Sequence, residues 1–176
     1  RIEFDVRTGL VEAELQQALN QYDGVILRSG VKITAQVLEG NTRLKAIVRA
    51  GVGTDNIDKQ AATRKGIVVM NTPTGNTLST AEHAVTLMLA LSRNVAPAHQ
   101  SLREGRWDRK KFTGTQVAGN TLGIVGMGRI GQAAAQRAQA LEMRVVGYDP
   151  FFSASRAAEI GVEMFDDVEA MLPEID

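Results

Sequence analysis

A chain of 176 residues, 44% of them hydrophobic, carries enough apolar material for one large domain or two small ones. Its 20 basic and 20 acidic residues cancel, so no overall field draws it to nucleic acid or to an anionic membrane surface, and a charged ligand has to be recognised locally. Cysteine is absent, which excludes a disulfide framework, a thiol nucleophile and a thiolate metal site, and no metal is expected. The longest apolar stretch, Ala84 to Leu91, falls far below the roughly 20 residues of a membrane span, and the opening residues lack the pattern of a secretory leader. The expectation is a cytoplasmic protein without membrane or nucleic-acid partners.

From Gly9 to Tyr22 apolar residues recur at helical spacing, and Asp23 to Arg28 then switches to a short apolar run, which predicts a helix and a buried strand. Residues 34–40 predict a short helix ended by Gly40, residues 44–50 a second strand, residues 55–66 a helix closing at Gly66, and residues 67–71 a third strand. Strands alternating with helices imply a parallel sheet covered on both faces. A second series runs through a strand (121–126), a helix (129–142), a strand (143–149), a helix (153–161) and a short strand (162–165).

Between the two series lies a segment rich in Thr, Gly and Asn at its ends and helical in its middle, read as a junction over residues 75–118. Ser79 and Glu82 have the capping-box spacing that opens a helix. The helix after them is apolar almost all round from Ala84 to Leu91, so burial on every side is expected. In a chain this small, part of that burial is expected from a partner subunit, in a homodimer or higher homo-oligomer.

The segment from Leu122 to Gln132, LGIVGMGRIGQ, places Gly126, Gly128 and Gly131 at G-x-G-x-x-G spacing between an apolar strand and an alanine-rich helix. A second strand then ends in Asp149, about 20 residues on, which completes a dinucleotide fingerprint. The first glycine permits the turn, the second lets the backbone approach a pyrophosphate, and the third lets helix and strand pack closely. Free N–H groups around Arg129 and Ile130 would face the phosphates, and the Arg129 side chain could cover them. Asp149 would accept hydrogen bonds from the adenosine ribose and repel a 2′-phosphate, which favours NAD over NADP. The plainer reading is a tight strand-to-helix turn, with Asp149 and Pro150 starting another.

Taken with its surroundings, this turn resembles the D-isomer-specific 2-hydroxyacid dehydrogenase family. The segments that carry the resemblance are VILRSGVKIT, VRAGVGTDNID, AATRKGIVVMNTPTGNTLSTAEHA, REGRWDRKKFTGTQVAGNTLGIVGMGRIG and VGYDPFF, in that order, and they cover nearly the whole chain. Thr54 departs from the valine expected there. The resemblance implies an α/β protein with a flavodoxin-like substrate domain over residues 1–74, then the first half of a Rossmann-type NAD-binding domain over residues 119–176, with the active site in a cleft between domains. Gly51, Val52 and Gly53 then correspond to the loop whose N–H groups bind the substrate carboxylate, and Val52 to a position touching the cofactor. Read from residues alone, those glycines make either an anion-binding nest or a plain turn.

Arg28 and Ser29 close one strand and Arg49 the next, where ligands gather beyond the carboxyl ends of parallel strands. They are candidate contacts for a substrate phosphate, or structural groups. Asn76 resembles an active-site asparagine, although a turn residue reads the same way. Arg106, Arg109, Lys110 and Lys111 interleave with Trp107 and Phe112. The bland reading is a solvated loop, and the neutral net charge opposes a nucleic-acid patch. The resemblance implies that Arg109 and Lys110 reach a phosphorylated substrate in the neighbouring subunit. His83 and His99 are expected to be packing or surface residues.

The family's catalytic histidine, glutamate and arginine come from the later half of its cofactor domain. No residue here matches them, so no catalytic residue is assigned and the chain is expected to be an internal portion of a longer enzyme. The implied reaction is oxidation of 3-phospho-D-glycerate to 3-phosphohydroxypyruvate, leading into serine synthesis. Glyoxylate or hydroxypyruvate reductases share the same loops, and transcriptional corepressors built on this fold offer a non-catalytic NAD-binding alternative.

Overall fold

The computed structural model describes residues 2–176. The chain divides into two compact units, Arg1–Asn76 and Thr77–Asp176.

The first unit follows the predicted alternation: α1 (Glu12–Leu19), β1 (Gly24–Leu27), α2 (Ala35–Leu38), β2 (Ala46–Arg49), α3 (Lys59–Arg64) and β3 (Val68–Asn71). Local chemistry sets the helix ends. The Thr34 and Asp58 side chains accept the N–H groups of Val37 and Ala61, and Gly40 and Gly66 turn the chain at φ 71° and 68°, where a side chain would be strained. The strands form a parallel sheet in the order β1-β2-β3, with Leu27, Arg49 and Asn71 side by side at their carboxyl ends. Leu27 and Ile47 pack on Leu19, Val37, Leu38, Ala61 and Ala62 from the helices. The other face carries Ile26, Val48 and Met70 in register, and Ile26 and Met70 are exposed. The expected cover on both faces is therefore met on one, because all three helices contribute their apolar sides to the same core.

The second unit contains α4 (Thr77–Ser92), α5 (Val95–Arg103), a 3-10 turn (Arg109–Phe112), β4 (Thr121–Val125), α6 (Arg129–Ala140), β5 (Arg144–Tyr148), α7 (Ala154–Glu159), β6 (Glu163–Met164) and α8 (Val168–Met171). Its parallel sheet has the order β4-β5-β6. Met127, Ala135, Ala138, Val145, Ala157 and Val162 form its core, with Leu122 and Ile124 packed against it. The alanines keep α6 close to the sheet, and Gln139 ties α6 to the end of α7 by donating to the carbonyls of Ile160 and Gly161.

Three details differ from the sequence reading. Helix α4 begins at Thr77, so Ser79 lies inside it and does not cap it, and Glu82 instead pairs with Arg137 of α6 at 3.1 Å. The helical segment breaks at Asn94, whose left-handed φ of 53° separates α4 from α5. Burial of α4 on all sides is not seen: Ala81 is buried, while Leu78, Leu87 and Leu91 are exposed, because α6 and α5 are its helical neighbours within the unit. No helix among the described residues is long and apolar enough to cross a membrane.

Candidate functional site

The glycine turn joins β4 to α6. Gly126 takes φ 98°, which requires glycine, and donates its N–H to the Tyr148 carbonyl at 2.8 Å. Gly128 stands at the N-cap of α6 in an extended conformation, and no side chain caps the helix. A Cβ added at Gly126 or Gly128 would meet no protein atom within 4 Å. Open space therefore lies over a helix N-terminus at Arg129 and Ile130, where the dipole and first-turn N–H groups favour an anion. Gly131 serves a different purpose. It faces the Gly126 carbonyl so closely that a Cβ would overlap the oxygen, which lets α6 pack against the end of β4.

Asp149 follows β5 and folds back on this turn. Its Oδ2 accepts the Met127 N–H and its Oδ1 the Phe151 N–H, both at 2.8 Å. Each oxygen keeps lone-pair capacity for a further donor. Gln132 completes the frame by donating to the Met127 carbonyl at 2.8 Å. Gly126, Gly128, Arg129, Ile130, Gly131 and Asp149 are thus gathered at the carboxyl ends of β4 and β5, where α/β sheets bind ligands.

In the first unit the loops after β1, β2 and β3 also meet at the carboxyl edge of the sheet. Arg28 and Ser29 follow β1, Arg49 ends β2, and Gly51, Val52 and Gly53 form the next loop. Gly51 takes φ 156°, and the guanidinium of Arg49 occupies the space where its Cβ would stand. The Gly51 carbonyl accepts the Thr72 N–H at 3.0 Å, and the Val52 carbonyl accepts Nδ2 of Asn71 at 2.6 Å. Asn56 bridges the carbonyls of Arg28 and Val31, holding the loop after β1 to that after β2. Asn76 lies beyond the turn at Thr72 to Gly75, at the end of this unit. Sequence reading had overlooked Asn71, Asn56 and Gln132. Asparagine at a strand end was a usable signal, since its amide competes for nearby backbone groups.

Arg109 and Lys110 stand on the 3-10 turn of the second unit. Arg106 pairs with Glu104 and Asp108, and Lys111 pairs with Asp108, whose carboxyl these cations hold below its usual range, Lys111 foremost. Arg109 and Lys110 have no acidic partner among the described residues, which leaves their charge available. Arg109 lines a hollow of about 310 Å³ together with Trp107, Phe112 and His99. His83 is exposed on α4.

A strand, a glycine turn opening a helix, and an acid closing the next parallel strand define a Rossmann-type α/β unit. The family model described as D-isomer specific 2-hydroxyacid dehydrogenase, catalytic domain, matches residues 1–174, and the chain belongs to that family. It is 50% identical over 165 residues to a D-3-phosphoglycerate dehydrogenase of Archaeoglobus fulgidus, covering 94% of this chain and 31% of that protein. It thus spans about a third of the length of the curated relatives it matches. Among solved structures, the TT0316 protein of Thermus thermophilus superposes with a TM-score of 0.86 at 35% identity, over 97% of this chain and 54% of that one. The Aquifex aeolicus D-lactate dehydrogenase, in complex with NAD and lactic acid, gives 0.83 at 26% identity, over 92% and 48%. An acyclic imino acid reductase, in complex with NADPH and D-Arg, gives 0.84 at 26% identity, over 95% and 53%.

Proposed function

We propose that this chain is the portion of an NAD-dependent 2-hydroxyacid dehydrogenase that holds the cofactor's adenosine half and the substrate's carboxylate. The whole protein, in this reading, oxidises 3-phospho-D-glycerate to 3-phosphohydroxypyruvate, leading into serine synthesis. The observation that carries the proposal is the uncapped α6 N-terminus under open glycines, with the Asp149 carboxylate anchored beside it. A dinucleotide fits that donor set: N–H groups and glycine space for the pyrophosphate, and a carboxylate for the ribose hydroxyls. When bound, NAD supplies the hydride acceptor.

The chain's own residues bind and orient. Gly126, Gly128 and Gly131, with the N–H groups of Arg129 and Ile130, cradle the pyrophosphate, and Val52 touches the cofactor. Asp149 uses the lone pairs left by Met127 and Phe151 to accept both ribose hydroxyls, and its charge repels a 2′-phosphate. The N–H groups of Val52 and Gly53, with Gly51 supplying the turn, hold the substrate carboxylate. Arg28, Ser29, Arg49 and Asn76 serve the rest of the substrate, and Arg109 and Lys110 reach the phosphate of the neighbouring subunit's substrate. The names of the curated relatives support the phosphorylated substrate, as does the unpaired charge of Arg109 and Lys110.

The test is oxidation by the full-length protein, followed by absorbance of the reduced cofactor. Turnover of 3-phospho-D-glycerate with NAD, well above that of glycerate or lactate and above that with NADP, is expected. Equal or better use of unphosphorylated hydroxy acids overturns the substrate, and equal use of NADP overturns the cofactor. The exposed leucines of α4 also support a homodimer or higher homo-oligomer, for which the cytoplasm is the proposed location. A monomer at every concentration in sedimentation overturns the assembly.

A further inference from the structure

The nest at Val52 and Gly53 presents outward-facing donors only because something holds its carbonyls. In a planar trans peptide the C=O and the following N–H point in opposite directions. The Gly51 carbonyl is drawn toward β3 by the Thr72 N–H at 3.0 Å, which turns the Val52 N–H away from β3. The Val52 carbonyl is drawn the same way by Nδ2 of Asn71 at 2.6 Å, which turns the Gly53 N–H to the same outer side. Neither N–H donates to a protein acceptor among the described residues, and the Arg49 guanidinium lies beside Gly51 on that loop. The Asp55 carboxylate also lies against Gly53, so the two adjacent free N–H groups and the Arg49 cation must outweigh one negative charge to make this loop an anion site.

The two restraints differ in kind. The bond from Thr72 is main chain and survives any substitution except proline. The bond from Asn71 is a side-chain donor, and it depends on an amide of this length at the end of β3, in register with Arg49. We propose that Asn71 is the positioning residue of the carboxylate site: its amide fixes the Val52–Gly53 peptide so that both N–H groups converge on the substrate's carboxylate. This rests on the reading of the loop under the proposed function. Alanine at this position removes the restraint. Aspartate keeps the size but sets a carboxylate oxygen against the Val52 carbonyl, so it should tip the peptide out of place and also repel the substrate.

The experiment compares wild type, Asn71→Ala and Asn71→Asp in the full-length protein. It measures kcat, KM for the hydroxy acid and for NAD, thermal unfolding, and binding of oxalate as a simple carboxylate probe. The hydrogen bond is solvent-exposed, so unfolding should barely shift. Loss of about one net hydrogen bond corresponds to a KM for the hydroxy acid raised roughly 5- to 10-fold in Asn71→Ala. A larger rise is expected in Asn71→Asp, with the KM for NAD raised several-fold less than that for the hydroxy acid and kcat the least affected parameter. Oxalate affinity should fall in the same order. Unchanged hydroxy-acid KM and oxalate binding in both variants, or equal losses for NAD and hydroxy acid, overturns the role of Asn71. If wild type turns over no 2-hydroxy acid, the proposed function falls. Oxalate binding that is present in wild type and lost in Asn71→Asp would still establish the nest, whereas a wild type that binds no oxalate overturns it.

Discussion

Two glycines of one turn, Gly128 and Gly131, should fail in different ways when given a methyl group. At an ordinary interior helix position, glycine to alanine stabilises by ~1 kcal/mol, because alanine loses less backbone entropy. Gly131 is not ordinary. Its added Cβ would overlap the Gly126 carbonyl oxygen, lie 3.2 Å from that carbonyl carbon and stand 3.3 Å from Cγ2 of Ile124. Backbone cannot step aside as a flexible side chain can, so α6 must lift from β4 or the turn must open. Overpacking of this kind costs about 1–3 kcal/mol, which outweighs the propensity gain and leaves Gly131→Ala destabilised by up to about 2 kcal/mol.

Gly128 is the opposite case. Its φ of −68° suits any residue, and its Cβ would meet nothing within 4 Å, so the fold loses at most about 0.5–1 kcal/mol from a poorer N-cap. The methyl group would, however, stand in the space over the helix N-terminus, and NAD affinity should fall at least about 10-fold, equivalent to ~1.4 kcal/mol. Urea unfolding and calorimetric titration with NAD separate the two. A Gly131→Ala protein as stable as wild type would refute the packing argument, and a Gly128→Ala protein that binds NAD normally would refute the phosphate cradle.

Asp149→Ala should weaken NAD binding and also lower stability by about 1–3 kcal/mol, since the N–H groups of Met127 and Phe151 lose a charged acceptor. Unchanged NAD affinity would remove the ribose role. Asp149→Asn should narrow the preference for NAD over NADP, read as the ratio of kcat/KM values, and an unaltered ratio would exclude charge repulsion as its source. Arg109→Ala with Lys110→Ala should raise KM for phosphorylated substrates more than for unphosphorylated ones, and equal losses would sink the phosphate assignment. Asp23 is held below its ordinary value of 3.8, first by the hydrogen bond from Arg43 and then by that residue's charge, with Lys45 adding to it. A carboxylate pKa depressed in the folded state stabilises above the unfolded value and is lost as pH falls through the folded one. Asp23→Asn should therefore flatten the fall of the urea midpoint below about pH 4, and an identical fall in the variant would show that the pair does not contribute.

The alternation of strands and helices was readable because its signals are local: short apolar runs, Thr34 at a helix start, and Gly40 and Gly66 at helix ends, although the helix expected from residue 55 opens only after Asp58. The glycine turn was readable for the same reason, since φ at Gly126 and close approach at Gly131 each demand glycine. What was misread depends on distant partners. Ser79 and Glu82 have the spacing of a capping box, yet Glu82 is occupied by Arg137, 55 residues away, and α4 opens earlier. The break at Asn94 carried a faint local sign, because Pro97 sits in the first turn of α5, where a missing N–H costs nothing. Asn71 offered one local sign, an amide at a strand end, but which carbonyl that amide meets is set by the neighbouring loop and is not encoded in periodicity.

The Val52–Gly53 nest has an evolutionary consequence. Donors that belong to the main chain are indifferent to the side chains they carry, and only proline at either position deletes one. If this loop binds the substrate carboxylate as proposed, position 52 can drift in size and polarity without erasing that recognition, leaving its side chain free to be shaped by whatever lies against it. In such a loop one residue can answer to two selective pressures at once, its backbone to one ligand and its side chain to another.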